Sequence, residues 1–410
     1  MPDTNKNKQQ LLSNLSVFAF AALFIQLPFY QRFIPITIGV WILLSILNAV
    51  VNKIRPRFNL SLVLSIFLYG LIALSGFWSE NKTVYQFDLE VKMSLAIIPL
   101  IFVFTNYSTK QIRTLVFAVI FGLISCYFFL TGKAILNTLK TGQVSNMFYV
   151  NLSTILHPSY LSYYANLGLL ILILDYIKPT LSLFQKKWPY LILIGLLFIF
   201  STLLLSKNGL FTSGVLILIL ISYWLVKKKF IVVFLILGSM AGTFVLAFTS
   251  SEMVKNRFTE LVAGIDQTEH DSKEIYSTGI RIKVWEIAYE ASIKNPFLGY
   301  GAGDTKDVLV EEYDKVGFSE ALIRRLNAHN QFLQITLSNG IIGLTILASI
   351  LLTPMFSWKR LNWFAISFGI TTAIFFTTES VLETQAGVLG FTLFLCLLNH
   401  DTFRKSDSIS

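Results

Sequence analysis

The chain has 410 residues, of which 54% are hydrophobic and 14% are charged, and its formal net charge is +10. Soluble domains carry roughly 25% charged residues, and a mean hydropathy of +0.65 is too high for the apolar residues to be hidden in one core. This composition predicts a polytopic membrane protein and excludes a cytosolic enzyme and a secreted disulfide-rich domain. Cys126 and Cys396 lie in apolar runs, and no CxxC or His/Cys cluster is present, so neither a metal nor a cofactor is expected.

Charge-poor apolar runs recur along the chain and predict an all-α protein with about twelve transmembrane helices. A retained first helix is expected, because Lys6 and Lys8 precede the first run and no small-residue cleavage site follows it. The runs lie at about 15–30, 33–51, 60–78, 93–106, 112–130, 159–177, 189–205, 209–226, 230–249, 331–353, 361–378 and 385–399.

Lysines and arginines concentrate in every second connection between these runs, for example at Lys227, Lys228 and Lys229. The positive-inside rule then places both termini in the cytoplasm, and the basic charge becomes a topology signal rather than a sign of nucleic-acid binding. The expected organisation is helices one to nine over 1–249, an extracytoplasmic loop domain over 250–328, helices ten to twelve over 329–400 and a cytoplasmic tail over 401–410.

The long loop is expected to contain short helices. Five small or apolar residues recur at helical spacing, and Pro296 follows them, which predicts an amphipathic helix over the membrane surface or over the mouth of the helix bundle. These residues are Ile280, Val284, Ile287, Ala288 and Ala291.

His329 begins the tenth predicted helix within the segment Asn-Ala-His-Asn-Gln and is followed by Asn330. A helix N-terminus favours a neutral imidazole, which can accept a proton. A polar residue that caps the helix is the alternative interpretation. Gly340 and Gly343 share a helical face with His329 and would let a neighbouring helix pack closely beneath it.

Two cations are candidates for binding an anionic ligand. Lys207 lies in Ser206-Lys207-Asn208-Gly209, although an Asn-Gly turn and a snorkelling lysine explain it equally well. Arg281 suits bidentate contact with phosphate, and a solvated surface arginine is the alternative. The alternate glycines from Gly299 to Gly303 fit no nucleotide fingerprint, so a tight turn capped by Asp304 is expected there.

Three further residues are supporting candidates on the same predicted face. Glu379 and Glu383 are one helical turn apart between helices eleven and twelve, where they could orient or neutralise a cation, or only cap the structure. His157 opens the sixth predicted helix and is a weaker candidate.

Three motifs together resemble the bacterial O-antigen ligase and polymerase family. His329-Asn330, nine residues and then Gly340-Ile341-Ile342-Gly343 fit the H-[N/S/Q]-x9-G-x-x-G pattern of O-antigen ligases. The stretch from Thr278 to Gly301, with Arg281, resembles the arginine-bearing loop of the wider family. Residues 206–209 match a place where the family commonly has Ser-Arg-x-Gly; Lys207 keeps the charge but loses the bidentate fork of arginine.

The resemblance implies an inverting, metal-independent glycosyltransferase of the membrane-embedded GT-C class, in the bacterial inner membrane with its active site facing the periplasm. Its donor would be a glycan linked to undecaprenyl pyrophosphate. Its acceptor would be lipid A-core for a ligase, in lipopolysaccharide biosynthesis, or another carrier-linked glycan for a polymerase. Arg281 and Lys207 would bind the pyrophosphate, and His329 would take the acceptor proton or only orient the acceptor.

Other functions stay open at this point. A lipid or polysaccharide transporter would also be polytopic and basic on its cytoplasmic side, but it should show inverted repeats, which are not evident in the sequence. A structural membrane protein would not need His329 and Arg281 to face one cavity. The expected partners are the glycan donor, the acceptor and membrane lipids, and not nucleic acid.

Overall fold

The structure is a computed structural model that describes residues 4–29, 31–231, 277–356 and 361–404, together with scattered positions between 233 and 255. All regular structure in this part of the chain is helical, which confirms the predicted all-α class. The α-helices in chain order are α1 (Thr4–Gln26), α2 (Ile34–Val51), α3 (Leu60–Leu74), α4 (Lys82–Lys92), α5 (Ser94–Phe102), α6 (Thr109–Thr141), α7 (Tyr149–Leu152), α8 (Pro158–Ile177), α9 (Trp188–Leu203), α10 (Lys207–Val226), α11 (Ser277–Lys294), α12 (Thr305–Lys315), α13 (Ser319–Arg324), α14 (Gln331–Leu352), α15 (Trp363–Thr378) and α16 (Gln385–Leu398).

Seven helices in the described part are long and apolar enough to cross a membrane, and the apolar helices α9, α15 and α16 are shorter. Each of these corresponds to one of the predicted spans, so the chain is a polytopic membrane protein. The seven candidate spans are Asn7–Gln26, Ile34–Val51, Leu60–Phe77, Thr109–Thr141, Pro158–Ile177, Lys207–Val226 and Gln331–Phe356.

The predicted span at 93–106 differs from the structure, which has only the nine-residue α5 in this region. α4 ends at Lys92 and α5 begins at Ser94, although Met93 between them keeps helical φ and ψ of −55° and −31°. Pro99 inside α5 has no N–H to donate to the preceding turn. The chain therefore makes two short helices here rather than one long span.

Part of the predicted long loop can be compared with the structure. α11 confirms the predicted helix, which buries Val284, Ile287, Ala288 and Ala291 and ends before Pro296. Its amphipathic character is weaker than predicted, because Ile282, Tyr289 and Ile293 are exposed. Residues 256–276 of the loop and much of the predicted span at 230–249 lie outside the described residues.

The chain forms two compact units, the first from residues 1–122 and 283–410 and the second from residues 123–282. In the first unit, α3 extends from one end of the unit to the other. At the end where α3 begins, Asn59 Nδ2 donates to the Asn399 carbonyl over 3.4 Å, and Ser61 contacts Thr353. At the end where α3 finishes, Ala302 N donates to Ser75 Oγ over 3.1 Å. We call these the Asn59 end and the His329 end.

A buried polar group ties α1 and α2 to the segment that precedes α6. The Tyr107 hydroxyl lies 2.8 Å from Ser16 Oγ and accepts a hydrogen bond from Trp41 Nε1 over 3.1 Å. The Phe20 ring stacks on Trp41 with 4.6 Å between ring centroids. Buried hydroxyl and indole groups need hydrogen-bond partners, so these contacts fix the positions of α1, α2 and the segment before α6 relative to one another.

The second unit is organised around α8, whose residues are buried along almost its whole length. The fully buried Asn166 donates to Ser201 Oγ and to the Gly209 carbonyl, each over 3.2 Å, and accepts from Ser213 Oγ over 3.0 Å. One carboxamide thus joins α8, α9 and α10, as polar residues often do between membrane helices.

α14 is not one continuous helix, because its backbone leaves the helical conformation at Gly340, where φ is 62° and ψ is −162°. The segment before α12 packs into this break: Ile341 N donates to the Pro296 carbonyl over 2.8 Å, and Tyr300 N donates to the Leu337 carbonyl over 2.8 Å. The prediction of a single helical face from His329 to Gly343 is therefore wrong beyond the break. The residues after Gly340 do not continue the helical periodicity of the residues before it.

The two glycines also serve a different purpose from the expected packing of a neighbouring helix. A Cβ on Gly340 would lie 2.0 Å from the Phe297 carbonyl oxygen, and a Cβ on Gly343 would lie 2.6 Å from the Asn339 Cβ. Gly340 therefore admits the backbone of a loop, and Gly343 admits a side chain of its own helix at the break.

We predict that Gly340→Ala destabilises the protein by about 1–3 kcal/mol, because this backbone conformation is essentially restricted to glycine. Thermal unfolding in detergent, followed by size-exclusion chromatography, measures the effect. Gly70→Ala in α3 is the matched control, since its Cβ would meet no atom within 4 Å. Equal melting temperatures for the two variants would contradict the role of Gly340.

Candidate active site

The segment that carries His329 is built by its own polar side chains. Asn330 is the N-cap of α14, and its Oδ1 accepts from Phe332 N over 2.9 Å and from Leu333 N over 3.1 Å. The Ala328 N–H donates to Gln334 Oε1 over 3.1 Å. The two Asn330 contacts satisfy donors that a helix start leaves without intrahelical partners, so the helix begins at Gln331. His329 lies just before the helix and does not begin it as predicted.

The backbone of His329 is held in a left-handed conformation with φ of 46°, which is uncommon for a residue with a side chain. Its N–H donates to Asn327 Oδ1 over 3.0 Å, and its carbonyl accepts from Trp285 Nε1 over 3.3 Å. Both backbone groups are occupied, while the side chain is 26% exposed. Strain that is maintained by several contacts is a recognised feature of functional sites.

Glu379 is the acidic partner of His329. One of its carboxylate oxygens lies 3.7 Å from His329 Nδ1, and the Glu379 side chain is only 12% exposed. The distance is longer than a hydrogen bond but short enough for direct electrostatic interaction. Glu379 directly follows α15, so the pair depends on α14 and α15 being neighbours.

Lys92 is a residue of this end that the sequence motifs do not reveal. Its ammonium group is buried, at 2.6 Å from the Asp88 carboxylate and 3.0 Å from the Glu383 carboxylate. The available signal is the Asp88–Lys92 spacing of one helical turn directly before an apolar run, because an ionisable group beside such a run needs a partner.

Lys92 is charged at neutral pH. Burial by itself would lower the pKa of Lys92, but the carboxylates of Asp88 and Glu383 outweigh burial and raise this pKa above the usual lysine value. Burial raises the pKa of Glu383, against the opposing influence of Lys92. The Glu383 side chain thus contacts a cation of the protein itself, Lys92.

Gln331 connects this ion cluster to the segment of His329. Its Oε1 accepts from Leu382 N over 2.6 Å, and its Nε2 lies 3.4 Å from a Glu383 oxygen. Gln331 is fully buried and is the first residue of α14. The position of the α14 start is therefore coupled to Glu383, and through Glu383 to Lys92.

The alternate glycines after α11 do not form an anion site. Gly301 N donates to the Ser338 carbonyl over 2.9 Å, and Gly303 N donates to Ser79 Oγ over 3.2 Å. Asp304 accepts from Glu80 N and Asn81 N, each over 2.8 Å, instead of capping its own turn as expected. The Gly301 N–H therefore holds this loop against α14, and the Gly303 N–H holds it against the α3–α4 connection, so neither is directed at a ligand.

Lys207 is the first residue of α10 in the second unit. The N-cap Ser206 accepts from Gly209 N over 3.3 Å, and Leu205 before it is left-handed with φ of 46°. A Cβ on Gly209 would lie 1.7 Å from Ser162 Oγ, so this motif glycine permits the close contact of α10 with α8. The partial positive charge of the helix N-terminus adds to the lysine charge at this position.

The remaining candidates also belong to the second unit. Arg281 is half-buried in the first turns of α11. His157 is the N-cap of α8, where its Nδ1 accepts from Ser159 N over 3.4 Å, which is a structural role. The structure thus brings His329, Asn330, Glu379 and Glu383 together at one end of the first unit, and it places Lys207 and His157 in the second unit. Arg281 lies at the boundary of the units within α11, one helical turn before Trp285, which donates to the His329 carbonyl.

Among the residues that the structure describes, no group of three or more His, Cys, Asp or Glu side chains is suited to hold a metal ion. Asp88 and Glu383 instead contact the ammonium group of Lys92.

Comparison with known proteins places these residues in a wider context. Residues 189–348 match a family model described as O-antigen ligase. A protein of Haemophilus influenzae, described as uncharacterized, is 23% identical over 237 residues, which are 53% of this chain and 59% of that relative. The matched family segment contains Lys207, Arg281 and His329, whereas Lys92 and Glu379 lie outside it.

We predict that Lys92→Met lowers the free energy of unfolding by about 3–5 kcal/mol, because it leaves buried carboxylates without their cation. The double variant Lys92→Met/Glu383→Gln should recover part of this loss. Thermal unfolding in detergent measures both. Lys294→Met is the control, since the Lys294 side chain is 54% exposed and its pair with Glu312 should contribute about 0–1 kcal/mol. A Lys92→Met protein as stable as Lys294→Met would show that the cluster does not support the fold.

Proposed function

Residues 189–348 of this chain belong to the O-antigen ligase family, and from this premise we propose that the protein is an inverting glycosyltransferase of the O-antigen ligase type. Its donor is a glycan on undecaprenyl pyrophosphate, and its acceptor is a sugar hydroxyl of lipid A-core. The observation that carries the proposal is the pair of His329 and Glu379, with His329 inside the matched segment.

His329 acts as the general base in this proposal. The acceptor hydroxyl oxygen attacks the anomeric carbon of the first donor sugar, the bond from that carbon to the pyrophosphate oxygen breaks, and the pyrophosphate leaves with the bonding electrons. The hydroxyl proton passes to the imidazole. Glu379 beside Nδ1 favours the tautomer with a proton on that nitrogen, which leaves Nε2 to accept the new one. Glu379 also stabilises the resulting imidazolium.

Arg281 and Lys207 are assigned to the pyrophosphate. Both lie in the matched segment and both carry positive charge, which stabilises the charge that develops on the leaving group. Lys207 has additional support, because it stands at the N-terminus of a twenty-residue helix.

The proposal places the His329 end of the first unit at the outer leaflet of the inner membrane. The support is the distribution of lysine and arginine in the connecting segments, which predicts cytoplasmic termini. With cytoplasmic termini, the connections around His329 and Glu379 face the periplasm, where carrier-linked glycans are attached to lipid A-core.

We predict that His329→Asn lowers the transfer rate on the order of 10²–10⁴-fold, because an amide can orient the acceptor but cannot take its proton. The measurement is single-turnover transfer from undecaprenyl-pyrophosphate glycan to lipid A-core by the purified full-length protein. Donor binding should change little, because the pyrophosphate is held elsewhere. His400→Asn, at the Asn59 end of the first unit, is the control and should retain the wild-type rate.

Substantial turnover by His329→Asn would reject the base assignment, and lost donor affinity with a normal rate would make His329 a phosphate ligand. Extension of the carrier-linked glycan without transfer to lipid A-core would identify a polymerase of the same family. Absence of both products with wild-type protein would reject the proposed activity.

We predict that Arg281→Ala abolishes or severely weakens transfer and raises the donor Kd, because a charge-assisted phosphate contact is lost. Lys207→Arg should stay active, and Lys207→Ala should lose activity, since a cation is needed at that helix start. Isothermal titration with undecaprenyl pyrophosphate and transfer assays test both residues. Full activity of Arg281→Ala would remove this arginine from the site.

A further inference from the structure

A polar cavity of about 650 Å³ lies at the Asn59 end of the first unit, away from His329. It is formed by residues of α1, the end of α2 and the start of α6 with the segment before it. Its volume falls in the range of cavities that bind small molecules, roughly 300–1,000 Å³. Neither the family match nor the proposed transfer reaction uses these residues, which all precede residue 189.

Carboxamide side chains dominate the lining of the cavity. Half of the lining residues are asparagine or glutamine, among them Gln10, Asn48 and Gln111. Among the lining residues that the structure describes, Lys110 is the only charged one and none carries a carboxylate. The cavity is therefore rich in neutral hydrogen-bonding groups and carries a single positive charge.

Internal hydrogen bonds hold the wall of the cavity in place. The buried Asn48, at 2% exposure, accepts from Asn52 Nδ2 through its Oδ1 over 2.7 Å. Gln111 donates through Nε2 to Ser13 Oγ over 2.9 Å and accepts from Ser108 N over 2.9 Å. These contacts join α1 to α6 and join α2 to its C-cap residue, yet they leave a cavity rather than closing it.

The lining defines the chemistry of a ligand. A carboxamide presents one acceptor oxygen and two N–H donors, so several of them match a molecule with several hydroxyl groups. One lysine without a carboxylate suits one phosphate and disfavours a cation. Some of these amides bond to each other, as Asn52 does to Asn48, but the lining still leaves an open cavity of about 650 Å³, which amide contacts between helices do not require.

We propose that this cavity binds a hydroxyl-rich phosphodiester headgroup with one negative charge, as in a glycerol-bearing anionic phospholipid. The rim favours a lipid over a soluble compound, because the apolar Phe18 ring at the rim is 63% exposed and can contact acyl chains. The positive-inside pattern predicts that this end faces the cytoplasmic leaflet. The inference is independent of the proposed glycan transfer.

The test uses native mass spectrometry of the full-length protein in detergent, titrated with dioleoyl-phosphatidylglycerol, dioleoyl-phosphatidylethanolamine or glycerol 3-phosphate. The expected result is one tightly retained phosphatidylglycerol per chain. Lys110→Met should weaken this binding about tenfold or more through loss of a charge-assisted hydrogen bond. Gln10→Leu, an exposed position of α1, should weaken it by a smaller factor. Lys8→Met, outside the lining, is the charge-matched control and should bind as wild type does.

Each outcome decides the proposal. Stoichiometric retention of glycerol 3-phosphate that Lys110→Met also weakens would support the same headgroup chemistry with a soluble source. Equal phosphatidylglycerol binding by wild type, Lys110→Met and Gln10→Leu would overturn the proposal, because the lipid would then be bound elsewhere on the surface. Equal affinity for phosphatidylethanolamine, or no retained ligand, would overturn it as well.

Discussion

The buried charge of Lys92 is the constraint on which the His329 end depends. A buried ammonium group needs its carboxylates, since removal of one partner leaves an uncompensated charge. Asp88 on α4 and Glu383 beyond α15 supply them, and Gln331 extends the contact to the first residue of α14. Three segments that are distant in sequence are thereby held where His329 and Glu379 meet.

The break at Gly340 divides α14, which begins two residues after His329, into two helical parts. The segment from Pro296 to Gly301 accepts from Ile341 N and donates to the carbonyls of Leu337 and Ser338, so these three backbone groups at the break have partners. Because backbone groups within a membrane must be satisfied internally, a break of this kind needs such a segment beside it. The loop after α11 and the N-terminus of α14 are consequently positioned together.

The two ends of the first unit have different chemistry. Acidic side chains, a buried lysine and a histidine meet at the His329 end, which suits proton transfer. Carboxamides and one lysine surround the cavity at the Asn59 end, which suits recognition of a headgroup without chemical change. The apolar core around Phe20, Trp41 and Tyr107 belongs to the same unit and holds the helices that line the cavity.

The sequence by itself determined the all-α membrane class, nearly all apolar helices and the family motifs around Lys207, Arg281 and His329, because hydropathy and short motifs are local properties of the chain. It also determined the helix that ends before Pro296, since apolar periodicity and proline act locally. Only the tertiary structure decided that Glu379 faces His329, that Lys92 pairs with Glu383 and that Gly340 breaks α14. Each of these results depends on contacts between residues more than forty positions apart, which no local pattern encodes.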